Sequence, residues 1–315
     1  MHRRLSLAAL LVLGLLVCHN ALSAEITAER SPHGAVVKID GKLFTEYLTQ
    51  SGNKPILWPI MGPTRQRMTR DYPMEKPRGE KHDHPHQRSL WFTHGDVNGV
   101  NFWDEQTFGK AAAIKHVKFV KIASGKPAVI VAQDRWLGKD GKTVCEDERT
   151  LRFDTDGDAR WIDFDVTVKA TNGPVTFGDT KEGTFAVRVA QTLTPEAKKG
   201  GRIINSEKQV DGAAWAQRAP WVDYYGPLNG KTVGIAIFNH PSSFRYPTYW
   251  HVRTYGLFAA NPFGLKEFTQ GKEKGAYTIP SGKTMTLRYR VFLHRGDEQE
   301  GKVTEAFAAY AQEVK

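Results

Sequence analysis

Nine consecutive residues, Trp161-Ile-Asp-Phe-Asp-Val-Thr-Val-Lys169, put Ile162, Phe164, Val166 and Val168 on one side and Trp161, Asp163, Asp165, Thr167 and Lys169 on the other. A strict period of two over this length fits a half-buried strand and no helix. The same pattern recurs along the chain. Residues 35–40, 113–122, 128–136, 143–153, 232–238, 250–255 and 285–293 are short, β-branched or alternating, and turn residues such as Asp40-Gly41 and Gly138-Lys-Asp-Gly141 close several of them. Only residues 303–314 read as helix, with Val303, Phe307, Tyr310 and Val314 on one stripe. Many short strands at intervals of roughly 8–12 residues with little helix between them predict an antiparallel sandwich or barrel. Neither an internal repeat nor a Pro/Ser/Gly linker breaks the pattern, so one domain is expected over residues 25–315. The segments 51–90, 101–112 and 239–249 are polar and rich in His, Pro, Asn and Trp, and are expected to be functional loops.

The first 24 residues read as an address. Met1-His-Arg-Arg4 is basic, Leu5–Cys18 is an apolar run, and Ala21-Leu-Ser-Ala24 resembles a cleavage site. The run is short of the about 20 residues a membrane helix needs. A cleaved signal peptide over residues 1–24 and a secreted or periplasmic protein are therefore expected. No later segment is apolar enough to span a bilayer. Without the first 24 residues Cys145 is the sole cysteine, so an intrachain disulfide is excluded there. Lys and Arg number 44 against 34 Asp and Glu, but the excess is scattered and forms no basic block. Nucleic acid is thus not an expected partner. The absence of a G-x-S-x-G elbow, a P-loop, a G-x-G-x-x-G turn and an H-E-x-x-H pair disfavours serine hydrolases, nucleotide-binding enzymes and zincins.

Three segments could carry chemistry. The first, 81–103, holds His82, His84, His86 and His94 of the chain's 11 histidines, with Arg88, Trp91, Asn98 and Trp103. In an extended chain stiffened by Pro85, His82, His84 and His86 project to one side. They could ligate a metal such as zinc, with Asp83 or Asp96 completing the set. They could equally supply an acid or base in a sugar cleft. The second segment, 177–188, places Asp179, Lys181, Glu182 and Arg188 around Gly178 and Gly183, and Glu182 is a plausible general base. The third, 238–256, places His240, Arg245, Trp250, His251, Arg253 and Tyr255 at strand ends.

At these segments the chain resembles the exported bacterial proteins catalogued as "methane oxygenase PmoA", also grouped as the DUF6807 family. The matching runs are Asp83-His-Pro-His-Gln-Arg88, Trp91–Trp103, Gly178-Asp-Thr-Lys-Glu-Gly183, Asn239-His-Pro241, Trp250–Gly256 and Ala259-Ala-Asn-Pro-Phe-Gly264. The first motif usually reads Asp-His-Pro-His-His, and Gln87 stands here for the last of those histidines. The resemblance does not imply a methane monooxygenase, whose subunits span membranes. It implies a galactose-mutarotase-like antiparallel β-supersandwich, a fold class in which a His and a Glu or Asp transfer protons in an open cleft.

These readings converge on an all-β, exported, carbohydrate-active enzyme with a short C-terminal helix. Glycoside hydrolysis, elimination and epimerisation stay open. His84, His86 and His251 are expected as acid or electrophilic groups and Glu182 as base. Arg88, Arg188 and Arg253 are expected to hold hydroxyls or a carboxylate, and Trp91, Trp103 and Trp250 to face a sugar ring. His94, Asn98, Asp179, Lys181 and His240 complete the expected binding set. Neither a cofactor nor a resident metal is assigned. The alternatives are a non-catalytic carbohydrate-binding protein and a metal-dependent enzyme built on His82, His84 and His86.

Overall fold

The computed structural model describes residues 24–105 and 112–314. The expected signal segment and Cys18 lie outside the described residues, save Ala24.

The chain opens with β1 (Ile26–Ser31), β2 (Gly34–Ile39), β3 (Lys42–Ser51), β4 (Lys54–Ile60) and β5 (Leu90–His94), which pair in that order. It then enters a second sheet through β6 (Ala113–Ala123), β7 (Ala128–Leu137), β8 (Thr143–Asp156) and β9 (Ala159–Lys169). After β10 (Val175–Phe177) it returns to the first sheet as β11 (Gly183–Arg188), beside β5. Next come β12 (Arg202–Asn205), β13 (Trp221–Leu228) and β14 (Lys231–Asn239) of the second sheet. β15 (Tyr249–Val252) and β16 (Leu257–Asn261) complete the first. A short helix α1 (Leu265–Phe268) precedes β17 (Tyr277–Ile279), which pairs with β10. β18 (Thr284–Arg295) lies between β14 and β9, and α2 (Val303–Ala311) ends the chain.

Both sheets have eight strands, antiparallel throughout, and their inner faces pack together. Phe185 stacks on Tyr289 at 4.6 Å, and Phe92 meets Phe164 at 6.5 Å across that interface. This is the expected antiparallel supersandwich. The alternation of residues 161–169 is realised in β9, where Ile162, Phe164, Val166 and Val168 are buried in the core. Cys145 is buried in β8, and burial pushes its thiol well above the ordinary value.

The segment 51–90 departs from the expected loop. It contains β4, whose Leu57 and Ile60 enter the core. Every residue of β5, β11 and β16 is buried, because loops cover the outer face of the first sheet as well as the second sheet its inner face. Trp91, Trp103, Ile56, Ala186, Leu257 and Ala259 form a separate apolar layer under those loops. The second sheet is covered differently: α2 lays Val303 and Tyr310 against Trp221, Phe238 and Phe292.

Candidate functional site

Strand alternation decides which side chains reach the loop-covered face. On β11, Phe185 and Val187 point to the core while Ala186 joins the outer apolar layer, so Arg188 also lies on the outer side. On β5, Trp91 points outward between Leu90 and Phe92. On β15, Trp250 and Val252 point inward, which puts His251 on the outer side.

The loop 81–88 crosses this face. The exposed His84 stacks on Tyr255 (ring centroids 5.3 Å, 6° between planes) and meets His86 at 5.7 Å. His86 leans on Trp103 at 6.3 Å, which in turn packs on Trp91 at 5.3 Å. The Nδ1 of His86 is 3.7 Å from Asp104. Burial drives the His86 imidazole down to about 4, with Lys54 and His84 adding to the effect and Asp104 opposing it. It is therefore neutral at neutral pH and able to accept a proton or to donate a hydrogen bond. His82 points elsewhere, stacked on Tyr72 at 4.6 Å. The three histidines do not converge as the metal alternative requires, and among the described residues no group of three or more His, Cys, Asp and Glu is placed to hold one ion.

Glu182 sits immediately before β11 on a loop held from several sides. His94 donates Nε2–H to the Gly178 carbonyl (2.8 Å) and His251 donates Nδ1–H to the Lys181 carbonyl (2.8 Å). Asn261 Nδ2 donates to the carbonyls of Thr180 (2.9 Å) and Lys181 (3.0 Å). Asp179 receives the amides of Lys266 (3.0 Å) and Gly275 (2.6 Å). Two glycines permit this packing. A Cβ on Gly183 would lie 2.3 Å from His94 Nδ1, and one on Gly95 would lie 2.9 Å from the Glu182 Cβ. Burial raises the Glu182 carboxyl above its ordinary value; Lys181 opposes this, while Asp104 and Glu267 add to it. Asp104 thus acts on both His86 and Glu182, and Glu182 in turn acts on Tyr255. Contacts join Asp104, His86, His84 and Tyr255 into one group, and Glu182 is linked to it through charge.

Arg188 closes its far side. Its guanidinium lies 4.6 Å over the Tyr255 ring and donates to Asp83 (3.0 Å) and to Gln87. Burial favours the neutral form of Asp83, but Arg188 and Arg70 outweigh it and hold the carboxyl below its ordinary value. Gln87, where a histidine is usual, supplies the acceptor for Arg188.

Several expected site residues have other work. His94 and His251 are buried, both driven down to about 4 by burial, and they hold the Glu182 loop through their hydrogen bonds. Trp250 lies in the core with its Nε1–H on the Ala219 carbonyl (2.8 Å). His240 sits under α2, bonded to Ser242 and to the Glu313 carbonyl and packed on Tyr310. Arg88 is engaged by Glu105 through two hydrogen bonds of 2.5 and 2.6 Å and by Ser51. Asn98 fixes a turn against Pro174 and Thr176. Lys181 pairs with Glu267 at 3.4 Å, and Arg253 is exposed beside the Trp215 ring. Trp91 and Trp103 form the buried floor rather than an open platform. Sequence reasoning passed over Lys54, Glu105, Arg70 and Asp104. Lys54 is fully buried, lowered to about 8 by burial against the pull of Glu105, to which it bonds at 2.9 Å.

A half-buried carboxyl and a neutral imidazole thus stand on the covered outer face of an antiparallel sandwich, near a buried apolar layer. Over residues 34–308 the chain matches the model of a family described as "Family of unknown function (DUF6807)", and it belongs to that family. No curated protein matches it. Among solved structures it is similar to a beta-arabinopyranosidase (12% identity, TM-score 0.36, 87% of this chain and 38% of that one). It is also similar to the alpha-galactosidase from Lactobacillus brevis (8% identity, TM-score 0.47, 91% of this chain and 41% of that one). A third is a galactose mutarotase related enzyme from Lactobacillus acidophilus (13% identity, TM-score 0.30, 86% of this chain and 95% of that one). The chain spans about two fifths of the length of each of the two glycosidases. Among the described residues no helix is long and apolar enough to cross a membrane.

Proposed function

We propose that this protein is an exported carbohydrate-active enzyme in which Glu182 is the general base and His86 its partner. The observation that carries the reading is the mounting of Glu182. A carboxyl raised by burial stands on a loop clamped by His94, His251, Asn261 and the anchored Asp179, in the neighbourhood of His86, His84 and Tyr255. Proton transfer from carbon or oxygen needs a base near the working pH, fixed within hydrogen-bond reach of its proton. Burial raises Glu182 in the direction of the first need, and the clamps on its loop serve the second. His86, neutral because it is buried, offers an N–H to polarise an oxygen or a nitrogen to receive a proton. His84 is exposed at the edge of this group. A purely binding module would present aromatic faces to solvent, whereas Trp91, Trp103 and Trp250 are all 1% exposed or less. We infer export from the basic, apolar and small-residue order of residues 1–24.

The test assays the purified chain without its N-terminal 24 residues on chromogenic glycosides, on uronate-containing polysaccharides and on free aldoses. These report hydrolysis, elimination and epimer exchange respectively. Glu182→Gln is nearly isosteric and is expected to lower turnover by roughly 100-fold or more while leaving the melting temperature unchanged. Turnover within a few-fold of the parent would overturn the assignment.

A further inference from the structure

Charge around the cleft narrows the sugar it admits; this inference rests on the carbohydrate reading above. Arg70 and Arg188 are 1% and 2% exposed. Buried guanidiniums are costly unless each meets an anion. Here both reach for one carboxylate oxygen, Oδ1 of Asp83. Arg70 Nε has no hydrogen-bond partner among the described residues. The other Arg70 nitrogens also donate to the carbonyls of His84 (3.0 Å), Gln87 (3.3 Å) and Lys81 (3.4 Å), and the charge of Glu80 acts on Arg70 from nearby. Glu80 receives the amides of Asp71 (3.1 Å) and Tyr72 (2.6 Å), and Glu196 pairs with Lys81 at 2.5 Å.

A cavity of about 230 Å³ adjoins the two arginines, with Lys81, Thr194 and Tyr255 also in its wall. Gln191 and Ala197 line both this cavity and a larger one of about 540 Å³. The wall of the larger cavity carries the exposed Arg65, Arg78 and Lys199, while its Asp71 is occupied by Arg67 at 2.9 Å. Two buried cations on one carboxylate oxygen thus stand at the head of a groove with a basic edge. A planar guanidinium matches a carboxylate through paired N–H donors, and a neutral hydroxyl does not satisfy the same excess of charge.

We propose that the cleft takes an acidic saccharide, a uronate-bearing chain whose carboxylate enters the small cavity against Arg70 and Arg188 while neighbouring residues follow the basic larger cavity. The carboxylate would give the two guanidiniums a second directly bonded anion beside Asp83, and Tyr255, shared with the His84 stack, would bring the sugar ring toward Glu182.

Calorimetric titration of the full chain with D-galacturonate and its trimer, and with D-galactose and a neutral galactose trimer, tests this. The acidic sugars are expected to bind at least about tenfold more tightly than the neutral ones, as one charge-assisted pair allows. Arg70→Gln is expected to erase that preference. Because a buried arginine can also matter for folding, the exposed pair Arg78→Gln with Lys199→Gln serves as the second variant, expected to weaken the acidic trimer several-fold and leave the monomer unchanged. Equal affinity for acidic and neutral sugars, or a trimer affinity unmoved by the surface pair, would overturn the inference. Turnover of neutral glycosides that depends on Glu182, without preference for the acid, would overturn it and leave the proposed chemistry standing. Tight binding of the acid with no turnover in parent or Glu182→Gln protein would do the opposite.

Discussion

Two groups of buried charge in this sandwich are built on opposite ratios. Between the sheets, Arg149 bonds two carboxylates, Asp134 at 2.9 Å and Asp147 at 3.0 Å. Tyr47 donates to Asp134 (3.0 Å), Trp136 donates to Asp147 (2.6 Å), and His116 lies 3.1 Å from Asp134. All four oxygens of Asp134 and Asp147 thus find a donor or an imidazole within the protein, while Arg135 and Lys169 nearby pair with Glu146 and Glu148. At the covered outer face, Arg70 and Arg188 divide one oxygen of Asp83. The first group is complete within the protein and reads as architecture. The second has one directly bonded carboxylate for two guanidiniums and, in the proposal above, receives another from the ligand. The contrast teaches that burial alone does not mark a candidate site, since the arginines of both groups are buried and their pairing differs.

Acid should separate the outer face, where Arg70 and Arg188 lie, from the Arg149 group most strongly. His86, His94 and His251 are each lowered to about 4 by burial, against an ordinary value of 6.5. The unfolded chain therefore binds more protons than the folded one between these values, and stability falls as pH drops from about 6.5 toward 4. Each fully buried imidazole could cost up to about 3 kcal/mol across that window. His294 acts in the other direction. Burial lowers it but Asp223 prevails and raises it, so its contribution is full at low pH and fades as pH rises. Asp147, raised by burial, adds no acid penalty of its own. Hydrogen exchange across this range is expected to accelerate in residues 178–182 before it does in β7 and β8. Simultaneous loss of both would break the contrast.

Arg149→Met should follow in size, because it leaves two carboxylates buried without their cation. A loss of about 3–5 kcal/mol in urea unfolding is expected. A loss under about 1 kcal/mol would show that the group is not the closed unit its distances describe. Asn261→Ala removes the donors to the Thr180 and Lys181 carbonyls and should cost about 1–3 kcal/mol. As a positioning change it should also lower kcat more than it raises KM and shift the acid limb of the pH profile; a stability loss with an unaltered profile would make the clamp merely structural. Arg70→Gln is expected to be milder for stability than Arg149→Met, since it relieves the repulsion between Arg70 and Arg188. The smallest effect belongs to the surface pair Lys38–Glu29, where Lys38→Met should change stability by under about 1 kcal/mol.

How much was legible depends on whether a strand keeps one wet face. β6, β7, β8, β9, β14 and β18 alternate or are β-branched, and the expected spans fall within a few residues of the observed ones. α2 ends at Ala311, short of the expected residue 314. β4, β5, β11 and β16 did not announce themselves, because strands covered on both faces lose the period of two. The histidines show the same division. Five residues of sequence hold His82, His84 and His86 together, yet their rings leave for Tyr72, Tyr255 and Trp103. His251 and His94 looked chemical in their motifs, and folding turned both onto backbone carbonyls of the Glu182 loop.

The sequence by itself determined an antiparallel all-β chain, the helix after β18 and the segments in which polar chemistry gathers, since periodicity and composition are local quantities. It also singled out Glu182 and Arg188, because glycines and charges crowd around them within twelve residues. Only the tertiary structure decided that Glu182 is clamped by three side chains from three separate strands. It alone set Arg70 against Arg188 from positions 118 residues apart, and showed that Asp83 must serve both. Such pairings arise where distant strands are brought side by side, and nothing in the order of residues along one strand records what its neighbour leaves unpaired.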